Sequence, residues 1–273
     1  MILNLKPFSD HGKRILTALW LIPLLLICLF WGGPVIFFLL VWACFSLGNR
    51  EFLHLVYEKP AGFDLWFFWL IGTMALWGAY FKGVEYLFMA LILGSIFIFI
   101  RYLPSFPNQN RFFESLGKQI LTLWYLPLFM PFFILIRMGD QGIYWIFFLL
   151  AVNYTGDSGA FYVGRTLGRH KLVPMVSPQK TIEGSLGGLA ANLITAWIFQ
   201  LTLFSSYSLL QMAALGLTIG IVSQVGDLVE SMFKRAARVK DSGSIFPGHG
   251  GFLDRADSLL LPAPLVYFFM KFF

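Results

Sequence analysis

The chain has 273 residues, 58% of them apolar and only 12% charged, with a formal charge of +6 and 31 phenylalanines. A soluble domain carries about 25% charged residues, so the composition excludes an ordinary soluble fold and makes lipid the main solvent. The two cysteines, Cys28 and Cys44, lie inside apolar runs, which excludes a disulfide framework or a cysteine-rich metal centre.

A membrane helix needs about 20 apolar residues, and about nine stretches qualify: 15–32, 34–49, 64–81, 84–100, 119–137, 142–163, 184–204, 208–232 and 257–273. The first follows a basic flank but runs to Trp31 without a small-residue cleavage site, so it reads as an uncleaved helix. A Gly32-Gly33-Pro34 turn joins it to the second as a helical hairpin. The sequence therefore predicts an all-α polytopic membrane protein. Residues 1–118 would hold four spans and a cytoplasmic loop, and residues 119–273 five spans that carry the polar motifs.

Lysine and arginine divide unevenly between alternate loops. Lys6, Lys13, Arg14, Arg50, Lys59, Arg101, Arg111, Lys118, Arg165, Arg169, Lys171, Lys180, Lys234, Arg235, Arg238, Lys240 and Arg255, 17 of the 20 cations, fall on the side of the N-terminus. Only Lys82, Arg137 and Lys271 fall on the other. The positive-inside rule then predicts an N-in, C-out chain. The basic excess is thus a signal of orientation and anionic lipid, not of nucleic acid.

Three polar segments open on the basic side. In "NYTGDSGAFYVGRTLGRHK", Asp157 lies inside the sixth span, about two helical turns above Arg165. A carboxylate at membrane depth is costly unless paired or hydrated, which makes Asp157 a candidate site residue. The plainer account is a packing aspartate satisfied by Tyr154, Thr155 and Ser158. Gly156, Gly159 and Gly164 permit close helix approach in either case.

The second segment, "SPQKTIEGSLGG" at 177–188, leads into the seventh span. Thr181 or Ser177 can cap that helix, and its free N–H groups with the Lys180 charge suit a phosphate. An ordinary capped helix start with a snorkelling lysine is the alternative.

The third begins with "VGDLVESMFKR", where Asp227, Glu230 or Ser231, and Lys234 share one helix face. Asp254 and Asp257 follow, three apart, at the start of the last span. Carboxylates from two helix ends supply the hard oxygens that Mg²⁺ prefers. Between them "PGHGG" presents Gly248, His249, Gly250 and Gly251, whose backbone N–H groups form a candidate anion nest. A merely solvated loop with acids at a helix N-terminus explains Asp257. It explains neither Asp227 below the interface nor the glycines around His249.

The stretch "SMFKRAARVKDSGSIFPGHGGFLDRAD", 231–257, resembles the C-terminal signature of the phosphatidate cytidylyltransferases, the CDP-diacylglycerol synthases. Each fixed position of that pattern is present, and "DSGAFYVGR" and "SPQKTIEG" are similar to two further blocks of the family. Gln179 and Ile182 depart from the usual Lys or Asn and Trp, which touches the nucleotide or lipid pocket but none of the acids.

The resemblance implies transfer of CMP from CTP to phosphatidate for phospholipid biosynthesis. It further implies a multi-pass protein of a bacterial-type inner membrane, with the site on the cytoplasmic side. Asp227 and Asp254 would be the metal carboxylates, with Mg²⁺ as cofactor and a second cation such as K⁺ left open. Lys180, Lys234, Arg235, Lys240 and Arg255 would hold phosphates. Ser177, Thr181, Glu183, Asp241 and Asp257 would complete the pocket as capping, supporting or metal-facing groups. His249 would bond a phosphate or, by a small margin, brace the loop. "NREFLHL" near 49–55 is a further cytoplasmic contact without an assigned role.

Two other classes stay open: a CTP-dependent lipid-alcohol kinase, which should lack the complete His-Gly-Gly and Asp-Arg-x-Asp block, and a cation or proton transporter. The second would need polar residues through to the outer face, where spans six to nine are nearly featureless. Oligomeric state is open, a homodimer included.

Overall fold

A computed structural model describes residues 23–105, 112–245 and 250–273. Residues 15–22 of the first predicted span, together with Gly248 and His249, lie outside the described residues. Residues 23–30 are helical. Helix α1 (Gly33–Val56) then starts with Pro34 in its first turn, where a missing N–H costs nothing. Gly33 has φ +66°, which turns the chain between the two helices.

Helices α2 (Gly62–Phe81) and α3 (Val84–Tyr102) follow as an antiparallel pair. Arg101 at the end of α3 bonds Asp64 at the start of α2 at 2.8 Å and lies over the Phe63 ring. The predicted span 119–137 is bent rather than straight: α4 (Phe112–Trp124), α5 (Leu126–Phe129) and α6 (Pro131–Met138) are separate helices. Pro127 and Pro131 lie in the first turns of α5 and α6, because a proline cannot donate to the preceding turn.

Next come α7 (Gly142–Leu167), the strands β1 (Lys171–Val173) and β2 (Ser177–Thr181), α8 (Ile182–Thr202) and α9 (Leu209–Ala236). The strands pair antiparallel, Lys171 opposite Thr181 and Val173 opposite Ser177, with one irregularity between. This hairpin stands where the sequence suggested only a loop and a helix cap. The predicted span 257–273 is also divided, into α10 (Leu253–Leu260) and α11 (Ala263–Phe272) around Pro262.

Among the described residues six helical stretches are long and apolar enough to cross a membrane: Gly33–Val56, Gly62–Phe81, Val84–Tyr102, Phe112–Met138, Ile182–Thr202 and Leu209–Ala236. Helix α7 is not among them, although it has 26 residues; the polar run from Asn153 to Ser158 lowers its hydropathy. The interior is filled by Phe45, Phe52, Phe68, Phe132, Trp145, Phe148 and Phe204, all fully buried. Large apolar side chains such as Trp66, Trp77, Ile96, Ile100 and Leu201 point outward, a surface suited to lipid rather than water.

Two contacts position the polar end of the bundle. Helices α7 and α8 pack closely through small residues: a Cβ at Gly159 would come within 2.8 Å of the Gly187 carbonyl, and one at Gly188 within 2.8 Å of the Gly156 carbonyl. Below the site, Ser223 of α9 donates to Asn153 of α7 and to the Ser258 carbonyl of α10, both at 2.7 Å. Asn153 in turn donates to the Ser258 hydroxyl at 3.0 Å. All three side chains are buried, so their polar atoms satisfy one another.

Candidate active site

A cavity of about 430 Å³ lies where α7, the β-hairpin, α8 and α9 meet. Its lining includes Asp157, Ser177, Lys180, Thr181 and Asp227, five residues singled out from three separate stretches of sequence. The Lys180 ammonium sits 2.5 Å from Asp227, joining β2 to α9, and both side chains remain partly accessible. Thr181, rather than Ser177, caps α8 by accepting from the Gly184 N–H at 3.1 Å. Gln224 adds a polar wall, donating to the Ser185 carbonyl at 3.2 Å while accepting from the Ser185 hydroxyl.

One helical turn and more along α9, a second cluster forms. Lys234 pairs with Glu230 on its own helix and with Asp254 of α10 at 2.7 Å. Asp254 also accepts from the Ser242 N–H at 2.9 Å, the Ser242 hydroxyl at 3.0 Å and the Gly251 N–H at 2.8 Å. Burial pushes the Asp254 carboxyl up, but Lys234 and these N–H donors outweigh it and hold the group below the ordinary aspartate range. Gly250 has φ +83°, and a Cβ there would come within 2.6 Å of an Asp254 oxygen, so only glycine fits.

The glycine loop meets carboxylates of the protein itself. Gly251 donates to Asp254, while Phe252 and Leu253 donate to Glu51, each at 3.0 Å. In this structure the protein's own carboxylates accept from this part of the nest.

Glu230 and Asp257 complete the electrostatic picture. Glu230 is fully buried, and although Lys234 lies against it, neither carboxylate oxygen has a hydrogen bond of good geometry. Asp257 is buried as well and accepts from the Ser258 N–H at 2.7 Å. The charges of Asp227 and Glu230 both act on Asp257, so three carboxylates share one neighbourhood. Among the described residues no group of three His, Cys, Asp or Glu side chains is gathered at metal-binding range. The donors are nevertheless hard oxygens, and Asp227 and Asp254 each already hold one full positive charge.

Other expected site residues stand apart. Glu183 accepts from the Arg169 and His170 N–H groups and from the His170 ring at 2.6 Å, so it ties the end of α7 to the start of α8. Arg235 donates to the Val176 carbonyl at 3.3 Å and anchors the hairpin turn to α9. Lys240 and Asp241 are exposed on the loop. Arg255 is exposed and within electrostatic reach of Tyr154.

Besides Arg165 in the cavity lining, read from sequence only as a cytoplasmic cation, the residues missed from sequence are Glu51, Ser185, Gln224 and Ser242. Of these only Glu51 carried a signal, as an acid between the apolar runs before and after "NREF".

Cations and hard carboxylates at one end of an apolar helical bundle suit phosphate-bearing substrates. A family model described as the cytidylyltransferase family matches residues 12–273. The phosphatidate cytidylyltransferase of Bacillus subtilis (strain 168) is 35% identical over 97% of this chain and 99% of its own length. That of Staphylococcus aureus (strain COL) is 36% identical over 67% of this chain and 69% of its own. The chain belongs to the cytidylyltransferase family.

Proposed function

We propose that the chain transfers CMP from CTP to phosphatidate, giving CDP-diacylglycerol and pyrophosphate. The observation that carries this is the Lys180–Asp227 pair in the wall of the cavity, with Lys234 farther along the same helix paired to Asp254 of α10, in a chain similar end to end to a phosphatidate cytidylyltransferase. The cavity volume of about 430 Å³ falls within the range of small-ligand sites, about 300–1,000 Å³.

The chemistry follows from charge. A phosphate monoester has a second pKa of about 6, so phosphatidate is largely a dianion at neutral pH. Its phosphate oxygen can attack the α-phosphorus of CTP without a strong general base. One P–O bond forms as the bond from the α-phosphorus to the bridging oxygen breaks, and pyrophosphate leaves with that electron pair. The obstacle is repulsion between two polyanions, which Lys180 and Lys234 reduce, with Arg235, Lys240 and Arg255 at the rim. Bound Mg²⁺ would neutralise developing phosphate charge. Asp227 and Asp254 would hold it with their hard oxygens, each giving up the lysine it now pairs with. A second cation such as K⁺ would meet Asp257 and Glu230, the latter now paired with Lys234.

The chain would lie in a bacterial inner membrane with about nine spans, N-in and C-out, and its site on the cytoplasmic side. Support comes from the Lys and Arg division and from the bacterial relatives. Residues 119–273 would carry the chemistry and residues 1–118 would scaffold it. Purified protein given CTP, Mg²⁺ and phosphatidate should release pyrophosphate. Pyrophosphate release that does not depend on phosphatidate, or conversion of CTP to CDP with a lipid alcohol instead, would refute the assignment.

A further inference from the structure

We propose that Glu51 is a positioning residue for this reaction, acting from the N-terminal half of the chain through α10 and Asp254; the inference rests on the function proposed above. Glu51 lies in α1, is 6% exposed, and has no cation partner among the described residues. A buried carboxylate needs compensation, and its donors all come from one place. Oε1 accepts from the Phe252 N–H at 3.0 Å, and Oε2 from the Leu253 N–H at 3.0 Å and the Ser242 hydroxyl at 3.1 Å.

Phe252 is the N-cap of α10 and supplies no side-chain cap of its own. Glu51 therefore caps α10 from 201 residues away, satisfying N–H groups that the helix cannot and setting a negative charge at its positive end. Asp254 is in the first turn of that helix. Its direction toward Lys234 depends on how the turn is held.

The fit around Glu51 is tight. A Cβ at Gly243 or at Gly251 would come within 2.5 Å of a Glu51 oxygen. The Ser242 hydroxyl has one proton and two carboxylates to serve, Glu51 and Asp254. Glu51 itself does not line the cavity. Both of its oxygens must accept, so a glutamine would turn an NH₂ group toward a backbone N–H, and an aspartate would be one methylene short.

The test uses full-length protein in detergent, comparing Glu51→Gln and Gly243→Ala with the parent chain. Each is expected to lower kcat by about tenfold to a hundredfold, the scale on which small misplacements act. KM for phosphatidate should stay near the parent value. In each background a Ser244→Cys reporter, made after removal of the native cysteines, should be alkylated faster as the loop loosens. A parent chain that is active, with kcat and alkylation rate unchanged in both variants, overturns the positioning role alone. Faster alkylation in variants of a chain that makes no CDP-diacylglycerol would instead refute the functional assignment, and with it a role for Glu51 in that reaction. If Glu51→Gln fails to fold, Gly243→Ala decides: an unchanged kcat refutes the proposal and a reduced one at constant KM sustains it.

Discussion

The Lys234 ammonium lies 2.7 Å from the Asp254 carboxylate, joining the end of α9 to the start of α10 across the loop between them. The same ammonium faces Glu230, whose side chain is almost fully buried. Removing it would strand two carboxylates, one of them fully enclosed. Breaking a buried ion pair from one side costs about 3–5 kcal/mol.

Lys234→Met should therefore lose both activity and stability, with a clear drop in melting temperature. Lys240, exposed and six residues on, should behave differently. Surface changes alter stability by about 0.5 kcal/mol or less, whereas a cation acting on transition-state charge is worth about a hundredfold or more in rate. Lys240→Met is expected to melt like the parent chain and to turn over at least that much more slowly, while Lys59→Met on another exposed loop costs little. Equal small losses at Lys240 and Lys59 would make the charge of Lys240 ordinary solvation.

Asp227 and Asp254 should separate in the same way. Asp227→Asn removes the partner of an accessible lysine, so turnover should vanish while insertion and melting are retained. Asp254→Asn withdraws a carboxylate that serves four donors and should also lower the melting temperature. Chelation of Mg²⁺ should abolish activity and its return should restore it. Near-normal turnover in either variant at saturating Mg²⁺ would remove that residue from the metal role.

The polar link beneath the site makes a stability prediction. Ser223→Ala deprives the Asn153 oxygen and the Ser258 carbonyl of a buried donor. Leaving a buried group unsatisfied costs about 1–3 kcal/mol. Thermal unfolding in detergent should register that loss, and an unchanged melting temperature would mean that water enters the link.

Much of the site was legible because its residues fall in short, polar, closely spaced runs. Asp227 and Lys234 share a helix face, and Lys180 stands one residue before a cap. The rest depends on contacts between distant segments. Glu51 reaches Phe252 across 201 residues, and no local pattern marks that pairing. The β-hairpin was missed because strands of three and five residues leave no periodicity to read. The breaks at Pro127, Pro131 and Pro262 were written in the sequence, but apolar runs of full membrane length concealed them.

Orientation has its own test. Ser242 is buried, so Ser244 is the better reporter for the loop, with exposed Ser206 for the opposite end. In a background without cysteines, Ser206→Cys should react with an impermeant maleimide added outside intact cells, and Ser244→Cys only after lysis. Labelling of Ser244→Cys from outside would overturn the cytoplasmic placement of the site.

The most direct measurement of the central claim is the fate of each CTP phosphate. Purified protein is incubated with phosphatidate, Mg²⁺ and CTP labelled at either its α- or its γ-phosphate, and the organic-soluble lipid is counted. Transfer of CMP places the α-label in CDP-diacylglycerol and leaves the γ-label in aqueous pyrophosphate. Lipid labelled from the γ-position, or from neither, would contradict the account.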